Sequence, residues 1–499
     1  MRFVLLALDN QWKKYASHGQ SWNRLGHMMM STVIKEEFPG AEVVAWDGLT
    51  KGAPDMETLI QEGDVVFFSI LVTGSELSIQ YARKARERGA RYVFAGDHQG
   101  ALAHRLFIRE RWGGQSLFDA IAISSDLNVV REFVRAARED RAPSGPGVVT
   151  YEGQPAEMPQ DPDFFCAPDF SVVDNWDQII GNYVETHGWM HERFSAIRPA
   201  QIRNATIMTG ARGCTIGKSK RCAFCGINEV ELVRNSGSDH VLQLFTLYRE
   251  NGINTFYAVA DSMFENAAAL KMLLALPSEL RPTNLILYGR AAGISRRPYL
   301  LDEWRKVIPP DGLLKINCGL EGLDPSKFGK GHGSDENVKT VQEIAKRKDI
   351  CLHASGIIGS PGQTRQEVSR SIEFAQWVTS TLGDEQLHAF EWDYLHLNHA
   401  FLDSQGKLQG AKLGRLLWDE GYAFELNASC SPHRLTSEEW RTKIRPYADR
   451  VEFDSNLTEL YYRYFTGISL EEASEAIHRI EDILATGRTR GGRAYGSLN

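Results

Sequence analysis

The sequence predicts an α/β protein with an N-terminal doubly wound, Rossmann-like sheet domain, then a partial (β/α)6 TIM barrel and a helical C-terminal extension. Short apolar segments alternate with amphipathic ones over residues 1–135, a proline-rich stretch follows, and the alternation then resumes with longer helices. A length of 499 residues leaves room for about three domains. We therefore place domains at 1–140, 201–400 and 401–499, with a linker at 141–200.

Five short apolar segments predict the strands of the first domain, at 2–8, 41–45, 64–71, 92–95 and 120–124. Residues 77–88 predict a surface helix, because apolar Leu77, Ile79 and Ala82 share the segment with four basic residues. Ligands of doubly wound sheets bind at the carboxyl ends of the strands. The loops after these strands are therefore the candidate binding loops of the domain.

Prolines mark the linker and predict little regular structure there, because six of them fall between residues 143 and 168. Strands are predicted beyond it at 205–209, 255–260, 284–288, 313–318, 351–358 and 388–392. Helices fit between them at 240–250, 266–276, 298–307, 335–347 and 365–381. Six consecutive β/α units predict a barrel or part of one, with its chemistry at the carboxyl ends of the strands.

Composition excludes several classes of partner. The net charge of -8 gives no basic footprint for a nucleic acid or an anionic membrane. No apolar run reaches the roughly 18 residues of a membrane span, and residues 3–8 are too short for a signal-peptide core. Seven cysteines in 499 residues argue against a disulfide framework. We expect a cytoplasmic enzyme or binding protein.

Three cysteines cluster in the loop after the first barrel strand. Cys214, Cys222 and Cys225 have the spacing C-x7-C-x2-C. Three converging thiolates need a cation, and soft sulfur ligands select zinc or an iron–sulfur cluster. Structural zinc ordinarily needs a fourth ligand at a similar spacing, and the nearest later histidine is His240. We favour a [4Fe-4S] cluster with one open iron, and a zinc-stabilised binding protein remains the alternative.

The same loop admits a second interpretation. Residues 213–219, GCTIGKS, resemble a phosphate-binding loop. That motif needs four residues between its glycines, and only three separate Gly213 from Gly217. No magnesium-binding partner is evident in the sequence, so the mismatch argues against nucleotide hydrolysis.

The end of the cysteine motif resembles the radical S-adenosylmethionine (SAM) superfamily. Phe224 immediately precedes Cys225, and the three cysteines follow the first strand of a barrel. The usual superfamily spacing is C-x3-C-x2-C, but longer first gaps occur, among them in some cobalamin-dependent peptide methylases. The resemblance implies that the three thiolates hold the cluster and that Phe224 lies beside the cofactors.

Two strand ends resemble SAM-binding elements of that family. After the second strand, Ala260 and Asp261 stand where the family contacts the methionine amino group, although the usual Gly-Gly-Glu is absent. The third strand ends in a Gly-Arg step at Arg290, as in cobalamin-linked members. Each segment alone is also compatible with a plain strand-to-helix turn.

The fourth and fifth strands complete the series. Glu321 matches a family glutamate near the sulfonium ligand, and residues 329–331 resemble its Lys-Gly element. The stretch 356–364, GIIGSPGQT, resembles the Gly-x-Ile-x-Gly-x-Pro-Gly-Glu-Thr segment that packs on adenine, with one residue fewer before Gly359 and with Gln363 in place of glutamate. The resemblance implies SAM contacts at Gly356, Ile358, Gly359 and Pro361. Five such segments, one per strand and in order, argue against coincidence.

A five-stranded domain before such a barrel resembles the cobalamin-binding domain of one large radical SAM subgroup. The linker segment 167–171, APDFS, resembles the stretch that joins the two domains there. Small residues in the loops would let backbone approach the corrin. The implied contacts are Ser69, Thr73, Gly74, Gly96, Asp97, His98, Ser124 and Ser125. A flavodoxin-like domain with another ligand, or none, is the alternative.

One motif of cobalamin proteins is absent. Asp-x-His-x-x-Gly supplies the lower-axial histidine in the mutases, whereas here Asp97 and His98 are adjacent. We therefore expect no cobalt ligand from that loop. His18, His27, His98 and His104 remain open as ligands, although a solvated or packed histidine is the simpler interpretation of each.

Together these resemblances imply a cobalamin-dependent radical SAM methyltransferase. A 5'-deoxyadenosyl radical would abstract hydrogen from an unactivated carbon of a small natural product or peptide, and cobalamin would deliver the methyl group. An external one-electron reductant of flavodoxin or ferredoxin type is implied. Asp393 and Tyr394, after the sixth strand, are expected to face substrate, with a packed strand end as the alternative. A ring formation or rearrangement without methyl transfer is the competing outcome.

Overall fold

The computed structural model describes residues 1–8, 21–71, 74–151, 157–208, 222, 234–260, 262–395, 416–449 and 455–488. Within these ranges the chain forms two six-stranded sheets with helices packed on them, followed by a helical C-terminal region. The predicted α/β class with parallel sheets is confirmed. In the part of the chain described, no helix is both long and apolar enough to span a bilayer.

The first sheet has the strand order β2-β1-β3-β4-β7-β8, parallel except for β8. Its strands are β1 Arg2–Leu8, β2 Glu42–Asp47, β3 Val65–Ile70, β4 Tyr92–Gly96, β7 Ala120–Ala122 and β8 Val148–Val149, with a separate hairpin of β5 Arg111–Trp112 and β6 Gln115–Ser116. Its helices are α1 Leu25–Glu37, α2 Gly48–Lys51, α3 Met56–Leu59, α4 Ser75–Glu87, α5 Asp97–Leu102, α6 His104–Phe107 and α7 Leu127–Glu139.

The strands of this sheet are apolar on both faces, which is why the sequence shows continuous apolar runs. Along β1, Val4 and Leu6 pack into one core cluster, whereas Phe3 and Leu5 pack into another on the opposite side. The strand order reverses between β1 and β3, the position at which doubly wound sheets open a crevice for ligands.

Residues 141–200 are more regular than the linker prediction. Val148 and Val149 add an antiparallel strand to the first sheet. A 19-residue helix, α8 Trp176–Phe194, comes after the proline-rich stretch and ends five residues before Pro199. The prolines of that stretch all precede this helix, so they interrupt only the first part of the segment.

The second sheet is all parallel, and its six strands follow one another in sequence order. This is the arrangement of a partial (β/α) barrel. The strands are β9 Asn204–Ile207, β10 Thr255–Ala258, β11 Asn284–Arg290, β12 Leu314–Gly319, β13 Ile350–Ile358 and β14 Leu387–Tyr394. The intervening helices are α9 Ser238–Glu250, α10 Ala267–Leu274, α11 Ala291–Arg296, α12 Tyr299–Arg305, α13 Ser334–Ala345 and α14 Arg365–Gln386, which is kinked at Gly383.

The two faces of the second sheet have different neighbours. The outer face packs on the barrel helices through a large core cluster that includes Phe256, Leu287 and Ile316. The inner face is covered in part by α8, since Met190 clusters with Leu313 and Cys351 near the amino ends of β12 and β13. Helix α8 therefore lies toward the amino-terminal end of the barrel, opposite the expected site.

The C-terminal region is helical in its described parts, as the sequence predicts. Its helices are α15 Glu420–Cys430, α16 Ser437–Glu439, α17 Ser455–Phe465 and α18 Leu470–Arg488, with irregular helical turns over Trp440–Ile444 and Arg445–Asp449. Two buried tyrosines fasten α17 to the fifth barrel strand: Tyr461 Oη donates to the Gly359 carbonyl at 2.9 Å and Tyr462 Oη to the Ile358 carbonyl at 2.8 Å.

Candidate functional site

The carboxyl ends of four barrel strands bring their residues into one row. Strand pairing aligns Arg290 of β11 with Gly319 of β12, Gly319 with Ser355 of β13, and Ser355 with Glu391 of β14. Because the strands are parallel, this row marks one end of the barrel, the end at which barrel enzymes carry their chemistry.

A buried ion pair forms at the ends of the second and third barrel strands. Arg290 Nε donates to Glu265 Oε1 at 2.7 Å, and Ser262 Oγ donates to the other carboxylate oxygen. The Glu265 side chain is fully buried, whereas 22% of the Arg290 side chain is exposed. Gly293 makes room for the carboxylate, since a Cβ there would lie 2.2 Å from Glu265 Oε1. Arg290 is thus fixed in place but still reachable by a ligand.

A second buried ion pair joins Glu321 and Lys330 after the fourth strand. Lys330 Nζ also donates to the Gly319 carbonyl at 3.3 Å. Burial alone would lower the pKa of Lys330, but the adjacent Glu321 carboxylate, with Cys222 and Cys318, leaves that pKa raised. Glu321 has a left-handed φ of 55°, a conformation that costs free energy for a residue other than glycine. Such strain is common at ligand sites.

The described residue of the cysteine loop, Cys222, lies near the second ion pair. Cys222 lies near enough to Lys330 to affect its pKa. Cys318 is buried between the two ion pairs: burial raises the pKa of its thiol to about 12, and Lys330, Glu321, Glu265 and Arg290 all act on it. The ends of β11 and β12 and the described residue of the cysteine loop therefore converge. Cys214, Phe224, Cys225 and Asp261 lie outside the described residues.

The fifth strand presents two different faces. A Cβ on Gly356 would lie 2.6 Å from the Trp392 ring, and Gly359, at φ 102°, has Tyr462 Oη in its Cβ position. Ile358 is fully buried in the outer core. Strand alternation therefore gives the inner face to Ser355 and Ile357, which the sequence interpretation did not single out. Pro361 follows at the turn, where Gln363 Oε1 accepts from the Gly359 amide.

The sixth strand separates the two residues expected to face substrate. Asp393 is exposed and shares the inner face with Glu391, two residues earlier. Tyr394 lies on the other face, half-buried, with its ring centroid 6.4 Å from that of Tyr462. Burial, with the nearby Asp393 carboxylate, raises the pKa of Tyr394. Tyr394 lines a cavity of about 660 Å³ together with Arg365 and residues of the C-terminal helices.

The first sheet also gathers its candidate residues at the carboxyl ends of neighbouring strands. Ser69, in β3, donates from its hydroxyl to the Asp97 carboxylate, just after β4. Asp97 has a left-handed φ of 67°. Gly96 fits closely against Ala122, with its Cβ position 3.1 Å from the Ala122 Cβ. Gly74, Ser124 and Ser125 lie at the ends of β3 and β7, while Thr73 and the His98 side chain lie outside the description.

Two of the four histidines considered as metal ligands are described in full. His104 is packed, and its Nδ1 lies 2.7 Å from the Ala101 carbonyl. His27, in α1, is 5% exposed, and its Nε2 has no hydrogen-bond partner among the residues described. Burial, with the nearby Arg24, lowers the pKa of His27 to about 4, against opposing effects of Asp47 and Asp97. His27 therefore lies close to Asp97 at this edge of the sheet.

The fold is that of a tandem α/β protein, with candidate ligand-binding residues at the carboxyl ends of the strands of both sheets. Solved structures share this fold. The radical SAM methyltransferase TsrM from Kitasatospora setae, with cobalamin and a [4Fe-4S] cluster bound, is 14% identical at a TM-score of 0.60, over 100% of this chain and 93% of that one. The structure of TsrM with tryptophan substrate and a SAM analogue bound is also 14% identical, at a TM-score of 0.57, and the match covers 97% of this chain and 89% of that one.

The cobalamin-dependent SAM radical enzyme OxsB, with aqua-cobalamin and SAM bound, is also 14% identical, at a TM-score of 0.55. That match covers 84% of this chain and 56% of OxsB. No family model and no curated protein matches the sequence. The chain thus has the fold of the cobalamin-dependent radical SAM enzymes, as the sequence resemblance predicts.

Proposed function

We propose that this protein is a cobalamin-dependent radical SAM methyltransferase that moves a methyl group from SAM to an unactivated carbon of a small natural product or a peptide. The observation that carries the proposal is the fold match over the whole chain to TsrM, a methyltransferase whose structures hold cobalamin and a [4Fe-4S] cluster, or tryptophan and a SAM analogue. A small-molecule substrate is favoured by the tryptophan in that structure.

The cysteine loop would hold the [4Fe-4S] cluster through Cys214, Cys222 and Cys225. The surroundings of Cys222 fit this role, because the ammonium group of Lys330 nearby favours a thiolate over a thiol. Bound cofactors would supply the one-electron cleavage of SAM, the hydrogen abstraction and the methyl delivery, which side chains cannot supply. An external flavodoxin or ferredoxin would provide electrons.

The two ion pairs would orient SAM. Arg290 is anchored by Glu265 through Nε and keeps part of its side chain exposed, an arrangement suited to binding a carboxylate. Glu321 offers a carboxylate to a cationic group, and Lys330 holds it in position. The remaining proposed contacts are Phe224, Ala260, Asp261, Gly356, Ile358, Gly359 and Pro361.

The first sheet would bind cobalamin across its carboxyl edge. The residues present fit a large planar ligand, because the side chains of Gly96 and the serines are small enough for the ligand to approach the backbone. Ser69 and Asp97 form a hydrogen-bonded polar pair at the same edge. The buried His27 lies close to Asp97 at this edge, and its Nε2 has no hydrogen-bond partner among the residues described, which leaves it open to a ligand. Thr73, Gly74, His98, Ser124 and Ser125 complete the proposed set.

Asp393 is the better placed of the two proposed substrate residues, since it is exposed on the inner face of the barrel. Tyr394 would contribute only to a substrate that extends toward the C-terminal helices and the cavity beside them. This division allows a small substrate to be held by the barrel alone, or a longer one to use both regions.

The proposal is tested with anaerobically reconstituted protein, a one-electron reductant and SAM carrying an isotopic label in its methyl group. Candidate small molecules and peptides are screened by mass spectrometry, and label in a product supports methyl transfer. Unlabelled but altered product would contradict it and favour ring formation or rearrangement. A protein that takes up zinc but neither iron nor cobalamin would instead be a zinc-stabilised binding protein.

A further inference from the structure

A chain of three histidines runs through the interior of the barrel and ends on a carboxylate. His187 Nδ1, in α8, lies 3.1 Å from His388 Nε2. His388 Nδ1 lies 3.2 Å from His353 Nδ1, and His353 Nε2 lies 3.2 Å from Glu391 Oε2. All three rings are buried, whereas 47% of the Glu391 side chain is exposed. We call these three residues the histidine chain.

The histidine chain connects the two ends of the barrel. His187 belongs to α8, which covers the inner face toward the amino ends of the strands. Glu391 lies in the row with Arg290, Gly319 and Ser355 at the carboxyl ends. The buried rings therefore extend from the amino-terminal end of the barrel to the row at the carboxyl ends of the strands, where SAM and substrate are proposed to bind.

A β-bulge puts His388 into the chain. Leu352 pairs with Leu387 but His353 pairs with Ala389, so His388 is an extra residue between them. Regular alternation would turn His388 outward with Phe390 and Trp392. Bulges are rare in parallel sheets and often redirect a side chain beside an active site. The irregularity thus supplies the link between His187 and His353.

The three distances are those of hydrogen bonds between consecutive side chains. His388 bonds to His187 through Nε2 and to His353 through Nδ1, so its two ring nitrogens serve two different neighbours. No group of three or more ligating side chains suited to a metal ion occurs in the described ranges. Hydrogen-bonded imidazoles that each offer one donor and one acceptor can pass protons.

The polarity of the histidine chain follows from Glu391. An ionised Glu391 accepts from His353 Nε2–H, so His353 Nδ1 must accept from His388 Nδ1–H, and His388 Nε2 from His187 Nδ1–H. A protonated Glu391 that donates to His353 Nε2 reverses every bond. Two arrangements therefore exist, one for each protonation state of the carboxyl group.

The geometry points to Glu391 as the residue that exchanges a proton with the substrate, and to His353, His388 and His187 as positioning residues that reset it. This inference rests on the proposed function and deepens it: the substrate would carry an ionisable hydrogen, on nitrogen or oxygen, beside the unactivated carbon that receives the methyl group.

The reset step is balanced within the chain. The step starts from the reversed arrangement, in which a protonated Glu391 donates to His353 Nε2. The Glu391 proton moves to His353 Nε2, the His353 Nδ1 proton to His388 Nδ1, and the His388 Nε2 proton to His187 Nδ1. No bond to carbon forms or breaks, and no electrons are transferred to another group. A carboxylate remains at Glu391 and an imidazolium at His187. Tyr183 packs edge to face against His187, and Trp189 stacks on His388, so aromatic rings adjoin the two imidazoles through which the positive charge passes.

Other titratable groups face this chain and contribute to any pH profile. From β12, Lys315 is buried; burial lowers its pKa to about 8, against opposing effects of Cys351 and Glu391. From β10, burial and Tyr288 raise the pKa of Tyr257, with Glu391 contributing. Asp393 follows on the strand of Glu391. His191 lies one turn beyond His187 on α8, but burial lowers its pKa to about 4, so it stays neutral in a profile measured near neutral pH.

A first experiment reads the hydrogen bonds without cofactors or turnover. Nitrogen-15 NMR of the full-length protein labelled in histidine assigns the tautomer of each ring through single histidine substitutions. We expect Nδ1–H at His388 and Nε2–H at His353 in the wild type at neutral pH, and loss of this pattern in Glu391→Leu, whose side chain accepts no hydrogen bond. Identical tautomers in both proteins, or Nε2–H at His388 in the wild type, would overturn the chain.

A second experiment reads turnover once the labelled-methyl assay has a substrate. Glu391→Gln should lower the rate about 10²-fold or more with iron and cobalamin content unchanged. His388→Asn should lower the rate less and shift the pH profile. The matched control is His191→Asn, also buried in α8 but bonded to Tyr183 outside the chain; it should keep the wild-type profile. Thermal unfolding of all three variants controls for folding.

The two proposals fail in different ways. If the wild type transfers label and both Glu391→Gln and His388→Asn do so at its rate and pH profile, the inference on Glu391 is wrong and methyl transfer stands. If the wild type makes no labelled product, the proposed function is wrong, and the NMR experiment still decides whether the hydrogen-bonded chain exists.

Discussion

The two sheets of this molecule place their candidate sites at the same edge but build them differently. At the barrel, buried ion pairs fix Arg290 and Glu321. At the first sheet, the same edge carries Gly96, serines and one exposed hydrogen bond from Ser69 to Asp97. The difference fits the proposed ligands: a small charged molecule needs fixed charges, whereas a large planar one needs space.

The largest effect should come from breaking a barrel ion pair. Glu321→Gln leaves Lys330 charged and buried without its carboxylate, which should cost about 3–5 kcal/mol of the free energy of unfolding. Chemical denaturation measures it. In the control Lys327→Met, which removes a more exposed ion pair with Glu367, the change should stay below about 1 kcal/mol. Equal losses of stability in the two variants would contradict a larger contribution of the buried ion pair.

Lowering the pH should reduce the free energy of unfolding, because the buried His27 of the first domain is neutral in the folded state. His27 has a folded pKa of about 4, below the ordinary 6.5, so the unfolded state binds more protons between these values. Stability from neutral His27 is full above pH 6.5 and is lost as pH falls toward 4, at up to about 1.4 kcal/mol per pH unit.

The comparison variant for this acid effect is His27→Gln. It should flatten the decline in stability between pH 6.5 and 4, measured by denaturation at several pH values. The buried His191 of α8, whose pKa burial also lowers to about 4, should still contribute its own share. An unchanged slope in His27→Gln would contradict the burial of that ring.

Adding a methyl group at matched glycines should separate the two edges. Gly356→Ala drives a Cβ to within 2.6 Å of the Trp392 ring and should destabilise the protein by about 1–3 kcal/mol. Gly96→Ala meets only the Ala122 Cβ at 3.1 Å, so it should cost less stability but weaken cobalamin binding. Thermal unfolding and cobalamin titration of both variants measure this. A reversed order of stability would contradict the packing described.

The smallest effect is expected at Ser69. Ser69→Ala removes the hydrogen bond to Asp97 at an exposed edge, which should cost no more than about 1 kcal/mol. Cobalamin affinity, measured by absorbance titration, should fall several-fold while SAM binding is unchanged. A loss of SAM binding instead would assign the pair to the other site.

Much of the fold can be predicted from sequence because strands of parallel sheets are continuous apolar runs. The predicted strand at 351–358 differs from Ile350–Ile358 by one residue, and that at 2–8 is the same as Arg2–Leu8. Helix α8 is harder to see, because it comes directly after a dense run of prolines and its buried positions include two histidines. Prolines break regular structure only where they stand, so their density does not exclude a helix in the next stretch of chain.

The candidate site also has residues that the sequence predicts and residues that it does not. Motifs at strand ends identify Arg290 and Glu321, but no motif identifies Glu265, which contacts Arg290 only because the loop after β10 folds against β11. His388 joins the histidine chain only because of a β-bulge, which breaks the two-residue period on which sequence interpretation relies. Asp393 and Tyr394 are adjacent, so strand alternation turns them to opposite faces.

Iron, sulfide and cobalamin, measured together after anaerobic reconstitution, show whether both sheets hold their cofactors in one enzyme. We expect about four irons, four sulfides and one cobalamin per wild-type chain, and retention of cobalamin with loss of iron in Cys222→Ser. Cys166→Ser, a cysteine packed beside Met29, should match the wild type. Wild-type protein that binds neither iron nor cobalamin, or Cys222→Ser that keeps its full iron, would contradict the account.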